Sequence, residues 1–300
     1  MAKSDDGGPH GALLILGAIG GGLLVGMIAA NVWPLLLLGL GAPLASVCEL
    51  GFLSLYVWWA SGHGWPAHWR AARRDFARAG PIVARQWGWG LLAAVAFAAT
   101  VHAAIVLLFR LIPFPAAAFH AGYSFSFIPT LPLQWLACVV SALSAGVCEE
   151  MGFRGYMQRP IETRYGPVLA IAVSATLFML LHLNKSWSLM AMTPIVWGAG
   201  LMLGVLARRS RTLVFCMIGH TIMDIGLFAY WWTQIAGTFP QRPISETGLE
   251  PSFFLEAGAF LVAVTLFFVS LSRLKPGPAD RPSALVGGGH ATGSAVGVGD

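Results

Sequence analysis

Residues 148–156 read CEEMGFRGY, two acids and an arginine lodged near the end of the apolar run 132–157. Each ionisable group near a bilayer centre costs on the order of 3 kcal/mol on insertion scales, so three within six residues call for a role that repays the cost. The rest of the chain reads as membrane. Of its 300 residues 57% are hydrophobic and 10% charged, against roughly 25% charged in a soluble domain, and the mean hydropathy is +0.71. Runs able to cross about 30 Å at 1.5 Å per residue fall at 11–30, 35–60, 88–112, 132–157, 167–184, 188–207, 212–235 and 252–272. They predict an all-α polytopic membrane helix bundle of about eight transmembrane helices. Only Asn31, Val32, Trp33 and Pro34 separate the first two runs, which leaves a re-entrant pair as the alternative there.

The arginines orient these spans. Arg70, Arg73, Arg74, Arg78 and Arg85 follow the second run, Arg159 and Arg164 the fourth, Arg208, Arg209 and Arg211 the sixth, and Arg273, Lys275 and Arg281 the eighth. Connections after odd-numbered runs carry few, chiefly Arg110, Lys185 and Arg242. The positive-inside rule therefore predicts both termini in the cytoplasm. The segment 62–87 mixes arginines with Trp65, Trp69 and Phe76, and predicts an amphipathic helix on anionic headgroups. Residues 276–300, rich in Gly, Ala and Ser, are expected to be disordered. The first apolar run is too long for a signal peptide and is expected to be retained. No basic stripe with interleaved aromatics suggests nucleic acid, and Cys48, Cys138, Cys148 and Cys216 show no CxxC spacing and read as small core residues.

On a helix, Glu150 and Arg154 share a face while Glu149 is rotated about 100° away. Glu150 and Arg154 then pair and hold the helix, and Glu149, left without a partner in a low-dielectric bundle, is the candidate general base. The alternative is a structural charge cluster at the membrane boundary, with Arg154 snorkelling. Two more polar groups interrupt later spans: His182 closes FMLLHLN, and His220 with Asp224 lies in CMIGHTIMD. Four residues apart, Asp224 can accept from the imidazole of His220 and set its tautomer. His102 reads as a core histidine, and Glu49 is a further intramembrane acid without a motif.

Glu149-Glu150-x-x-x-Arg154, Phe178-x-x-x-His182 and His220-x-x-x-Asp224 together resemble, in order and in placement on successive spans, the three motifs of the CPBP family. That family comprises the type II CAAX prenyl endopeptidases and the bacterial Abi-type intramembrane proteases. The resemblance divides the chain into N-terminal spans (1–130), a CPBP-like catalytic core (131–235), a last span (236–275) and the tail (276–300). It implies an intramembrane endopeptidase acting on a membrane-embedded or lipid-anchored substrate among membrane lipids, in what residue usage suggests is a bacterial inner membrane. Glu149 would activate a water assisted by His182, with His220 and Asp224 stabilising the oxyanion or positioning the other groups. The third motif often ends in Asn. Aspartate when ionised only accepts hydrogen bonds, so Asp224 is expected to orient His220 or to bind a metal.

Glutamate-activated water without a required metal is the favoured chemistry. A zinc or other divalent ion on Glu149, His182 and His220 is the alternative, although no HExxH is present. A proton-coupled transporter would show internal repeats, and none is evident. A non-catalytic immunity or scaffold protein has no need for an unpaired acid beside imidazole. Ser141 and Ser144 lack the GxSx context of rhomboid-like chemistry. By rise per residue, Glu149 lies about 15 Å and His220 about 12 Å from the arginine-rich boundary, but His182 lies about 22 Å in if its helix starts at Pro167. A start near Ile171, or a strong tilt, would reconcile them.

Overall fold

With no water in a bilayer to satisfy backbone N–H and C=O groups, long apolar runs close their hydrogen bonds within themselves, as helices. The computed structural model describes residues 9–122, 124–183, 187–237 and 242–274, and no strand occurs among them. Among the described residues seven helical stretches are long and apolar enough to cross a membrane: Gly11–Leu40, Ala42–Ala60, Ala84–Leu111, Leu131–Tyr165, Met190–Ser210, Val214–Trp232 and Pro251–Arg273. Their outer faces are aliphatic: Leu35, Leu38, Leu55 and Leu255 are all exposed, as lipid-facing positions should be. The chain is an all-α polytopic bundle.

The expected eight spans thus become seven and a shorter one. The run 167–184 is α9, Pro167–His182, in which 16 residues span about 24 Å. It begins at Pro167 because Gly166, at φ 85°, ends the preceding helix. Of the two alternatives, the start near Ile171 is therefore excluded, and His182 is the last residue of its helix. The first break also lies elsewhere. α1 (Pro9–Ala30) continues past Asn31 into α2 (Val32–Leu40), and the chain turns at Gly41, φ 71°, before α3 (Ala42–Ala60). Pro34 does not stop α2 because a proline in the first turn forfeits no intrahelical bond.

The segment 62–87 is helical only in part: a 3-10 turn at Ala67–Trp69, α4 (Arg70–Phe76), and then the start of α5 (Ala84–Leu111). Its arginines are not all turned outward as an amphipathic helix would require. Arg73 is buried, donates to the His63 carbonyl at 2.7 Å and lies 4.8 Å from the Trp59 ring centroid. The expectation for residues 276–300 falls outside the described residues.

α6 (Ala116–Gly122) links α5 to α7 (Leu131–Glu150), whose helix widens into a π-helical stretch at Met151–Met157 before α8 (Gln158–Tyr165). After α9 come α10 (Thr193–Ser210), α11 (Val214–Gly226) with a second π stretch at Leu227–Trp232, α12 (Ile244–Thr247) and α13 (Pro251–Arg273). The core joins Phe97, Ile105 and Phe109 of α5 to Leu203 of α10, Phe215 of α11 and Phe267 of α13.

Small residues set how closely the helices cross, since lipid supplies little hydrophobic drive for association. α1 meets the first π stretch through Gly22, Gly26 and Gly152. A Cβ on Gly152 would lie 2.6 Å from both the Gly22 carbonyl oxygen and the Gly26 Cα. α7 meets α11 where Gly146 lies against Thr221, and α10 meets α9 at Gly200 and Ala175. Gly152→Val is expected to force α1 off the π stretch and cost about 1–3 kcal/mol, read as a lowered Tm in detergent. Gly17→Val, on a face with nothing within 4 Å, should leave the Tm unchanged.

Candidate active site

Four helices converge on the buried carboxylate of Glu150. Its Oε1 accepts from Arg154 Nη1 at 2.7 Å and from His220 Nδ1 at 2.8 Å, and none of these side chains has more than 3% of its surface exposed. Arg154 Nη2 donates to the Gly200 carbonyl on α10 at 3.4 Å, and the guanidinium carbon lies 4.5 Å from the centroid of Phe178 on α9. A cation so enclosed is tolerable only because carboxylate, carbonyl and aromatic face surround it.

Glu149, one residue earlier, points elsewhere. It lines a cavity of about 380 Å³ together with His182, His220 and Asp224, and with Ser141 and Ser144 of α7. Its Oε2 has no hydrogen-bond partner among the described residues and lies 4.0 Å from His220 Nε2. Asp224 Oδ2 lies 3.5 Å from the same nitrogen. His182 donates from Nδ1 to the Phe178 carbonyl at 2.7 Å, so in its neutral form Nε2 is the acceptor. All four candidate residues therefore share one cavity, although His182 comes from the far end of a helix that counts as too deep. The convergence is tertiary: α9 is short and ends where the cavity is.

Asp224 lies beside His220 Nε2, the side on which spacing along α11 lets it act, while Glu150 of α7 occupies Nδ1. The cause is the close crossing of α7 and α11 at Gly146 and Thr221, which brings an acid from another helix to Nδ1 and leaves Asp224 beside Nε2. Spacing along one helix carries no trace of such an interhelical contact.

Three contacts support the cavity walls. Glu49 of α3 is fully buried and accepts from Ser144 Oγ at 2.6 Å. His102 of α5 donates from Nε2 to the Met223 carbonyl at 3.0 Å, one residue before Asp224. Trp33 Nε1 donates to Ser141 Oγ, which ties α2 to α7. Neither Glu49 nor Trp33 stands in any motif; an acid in an apolar run was the sole signal for the first.

Among the described residues no group of three or more His, Cys, Asp or Glu is arranged to hold a metal ion.

Residues 130–226 match the family model described as Type II CAAX prenyl endopeptidase Rce1-like. That segment is similar to the CPBP-family intramembrane proteases. No curated protein and no solved structure matches it. The matched segment holds all seven residues of the three motifs, Glu149, Glu150, Arg154, Phe178, His182, His220 and Asp224, while α1 to α6, α12 and α13 lie outside it.

Within this segment, Arg154→Met would strand the buried Glu150 charge. A loss of about 3–5 kcal/mol is expected, seen as a lower Tm or as failure to accumulate in membranes. Adding Glu150→Gln to that variant should recover part of the loss, because the two side chains are coupled.

Proposed function

We propose that this CAAX-type intramembrane endopeptidase hydrolyses its substrate with water activated by Glu149. The observation that carries the reading is the division of labour between neighbouring acids. Glu150 is consumed by Arg154 and His220, whereas Glu149 faces the cavity with its Oε2 unbonded among the described residues. A water between Glu149 and a scissile carbonyl would lose a proton to the carboxylate as its oxygen adds to the carbonyl carbon. His182 Nε2, an acceptor, would hold the second hydrogen of that water. His220 can present an Nε2–H to the developing oxyanion only as imidazolium, and Glu150, Glu149 and Asp224 surround that charge. Collapse of the tetrahedral centre breaks the C–N bond, and the proton on Glu149 passes to the leaving amine. No metal is needed for any of these steps.

The substrate we infer is an extended peptide segment anchored in or at the membrane, by its own apolar residues or by a lipid. Met190 and Met192 line the cavity beside Val196 and Phe178, and thioether chains adapt to varied apolar groups. Both termini would face the cytoplasm, as the arginine distribution suggests.

Glu149→Gln keeps the shape and removes the base. Cleavage should fall by 10²–10⁴-fold on the order-of-magnitude scale of general-base catalysis, with Tm and membrane level unchanged. The measurement compares new peptide termini in membranes from cells making the wild type or the variant at matched levels. Termini confined to the wild type would name the substrate; identical profiles would sink the reading in favour of a non-catalytic membrane scaffold.

A further inference from the structure

Away from the cavity, a second concave space of about 700 Å³ opens where α4, α8 and the turn between α10 and α11 meet. Arg74, Arg78, Arg159, Arg208, Arg209 and Arg211 line it, with only Asp75 and Glu162 opposing them. We propose that this basin binds the phosphate of an anionic phospholipid headgroup, independently of the peptidase reading.

Both acids are already spent on the walls. Arg78 Nη2 meets Glu162 Oε2 at 2.6 Å with both side chains largely buried, and Arg159 Nη2 meets Asp75 Oδ1 at 2.8 Å. These pairs clamp α4 and the loop after it onto α8. Arg74, Arg208 and Arg209 are exposed and have no acid partner among the described residues. An ordinary solvated face would intersperse acids among such arginines or let them diverge. Here folding gathers them around a hollow to which Ala79 and Gly80 add little bulk.

The backbone bears the same mark. Among the described residues three non-glycine positions have positive φ, and two of them, Arg78 at 48° and Arg211 at 56°, line this basin. Arg211 caps α10 in the left-handed conformation, a place usually filled by glycine. Disfavoured backbone held in place by its surroundings concentrates at ligand sites.

The basin lies at the ends of two membrane-crossing stretches, Leu131–Tyr165 and Met190–Ser210, which places it at headgroup level. It collects arginines from three of the connections that the positive-inside rule assigns to one face. A phosphodiester fits because the guanidinium fork presents parallel donors to two phosphate oxygens, and clustered cations gain most from a shared anion. A zwitterionic headgroup brings its own cation and gains less.

The test is native mass spectrometry of the full chain in detergent, with phosphatidylglycerol or phosphatidylcholine added at equal concentration. The wild type should retain phosphatidylglycerol in preference. Replacing Arg208→Gln together with Arg209→Gln should lower that retention on the order of tenfold, given the usual contribution of each headgroup-facing arginine. Arg85→Gln with Arg273→Gln removes the same charge from the same predicted face outside the basin and should change it by less than about twofold, the basin being the local site. Should the first variant fail to fold by its Tm in detergent, Arg74→Gln reads the same site. Equal retention of the two lipids, or equal loss in the control variant, would overturn the proposal in favour of a diffuse charge effect. Displacement of phosphatidylglycerol by millimolar inorganic phosphate would overturn the lipid assignment and leave a free-phosphate site.

Discussion

Glu150 Oε1 receives two hydrogen bonds, one from the arginine a turn below it and one from His220 on another helix. In a bilayer interior neither charge could be left alone, so the pair is made or the helices do not assemble this way. Through it α7 is joined to α11. Through Arg154 it also reaches α10 at Gly200 and α9 at Phe178. A single carboxylate thereby fixes the relative placement of the four helices that build the cavity, and Glu149, one residue away and about 100° round the helix, is aimed into that cavity as a consequence.

Close approach makes this geometry available. Glycines at the crossings let backbones come within contact distance, so short side chains such as Ser144 and Thr221 can meet groups on neighbouring helices. Just past the acids the helices widen: a π stretch follows Glu150, and another begins three residues after Asp224. Such stretches frequently mark functional sites because they re-aim the side chains around them. Here the first lets Gly152 face α1 while Arg154 still reaches back to Glu150.

Charge in this molecule falls into two zones with different physics. Within the bundle Arg154 is enclosed by acceptors, and the carboxylates of Glu149 and Asp224 line a cavity with mainly apolar walls. At the helix ends arginines outnumber acids, and ion pairs there build walls. Arg110 shows the same habit at the other end of α5, pairing with Glu250 and Glu256 to tie α5 to the start of α13.

Composition and run length determined that the chain is a membrane helix bundle, because about 20 apolar residues in succession have few other stable fates. Periodicity along one helix determined that Glu150 pairs with Arg154, since residues four apart must adjoin. Motif order identified the residues that prove to share a cavity. What lay between helices was illegible: that Glu150 holds His220 Nδ1, that Ser144 meets Glu49, that α9 is short enough to bring His182 to the cavity. It was likewise the packing that drew arginines from separate connections around one hollow. Spacing constrains contacts only within a helix; contacts between helices are decided by which crossings small residues allow and which buried charges must be satisfied, and those are properties of the assembled bundle.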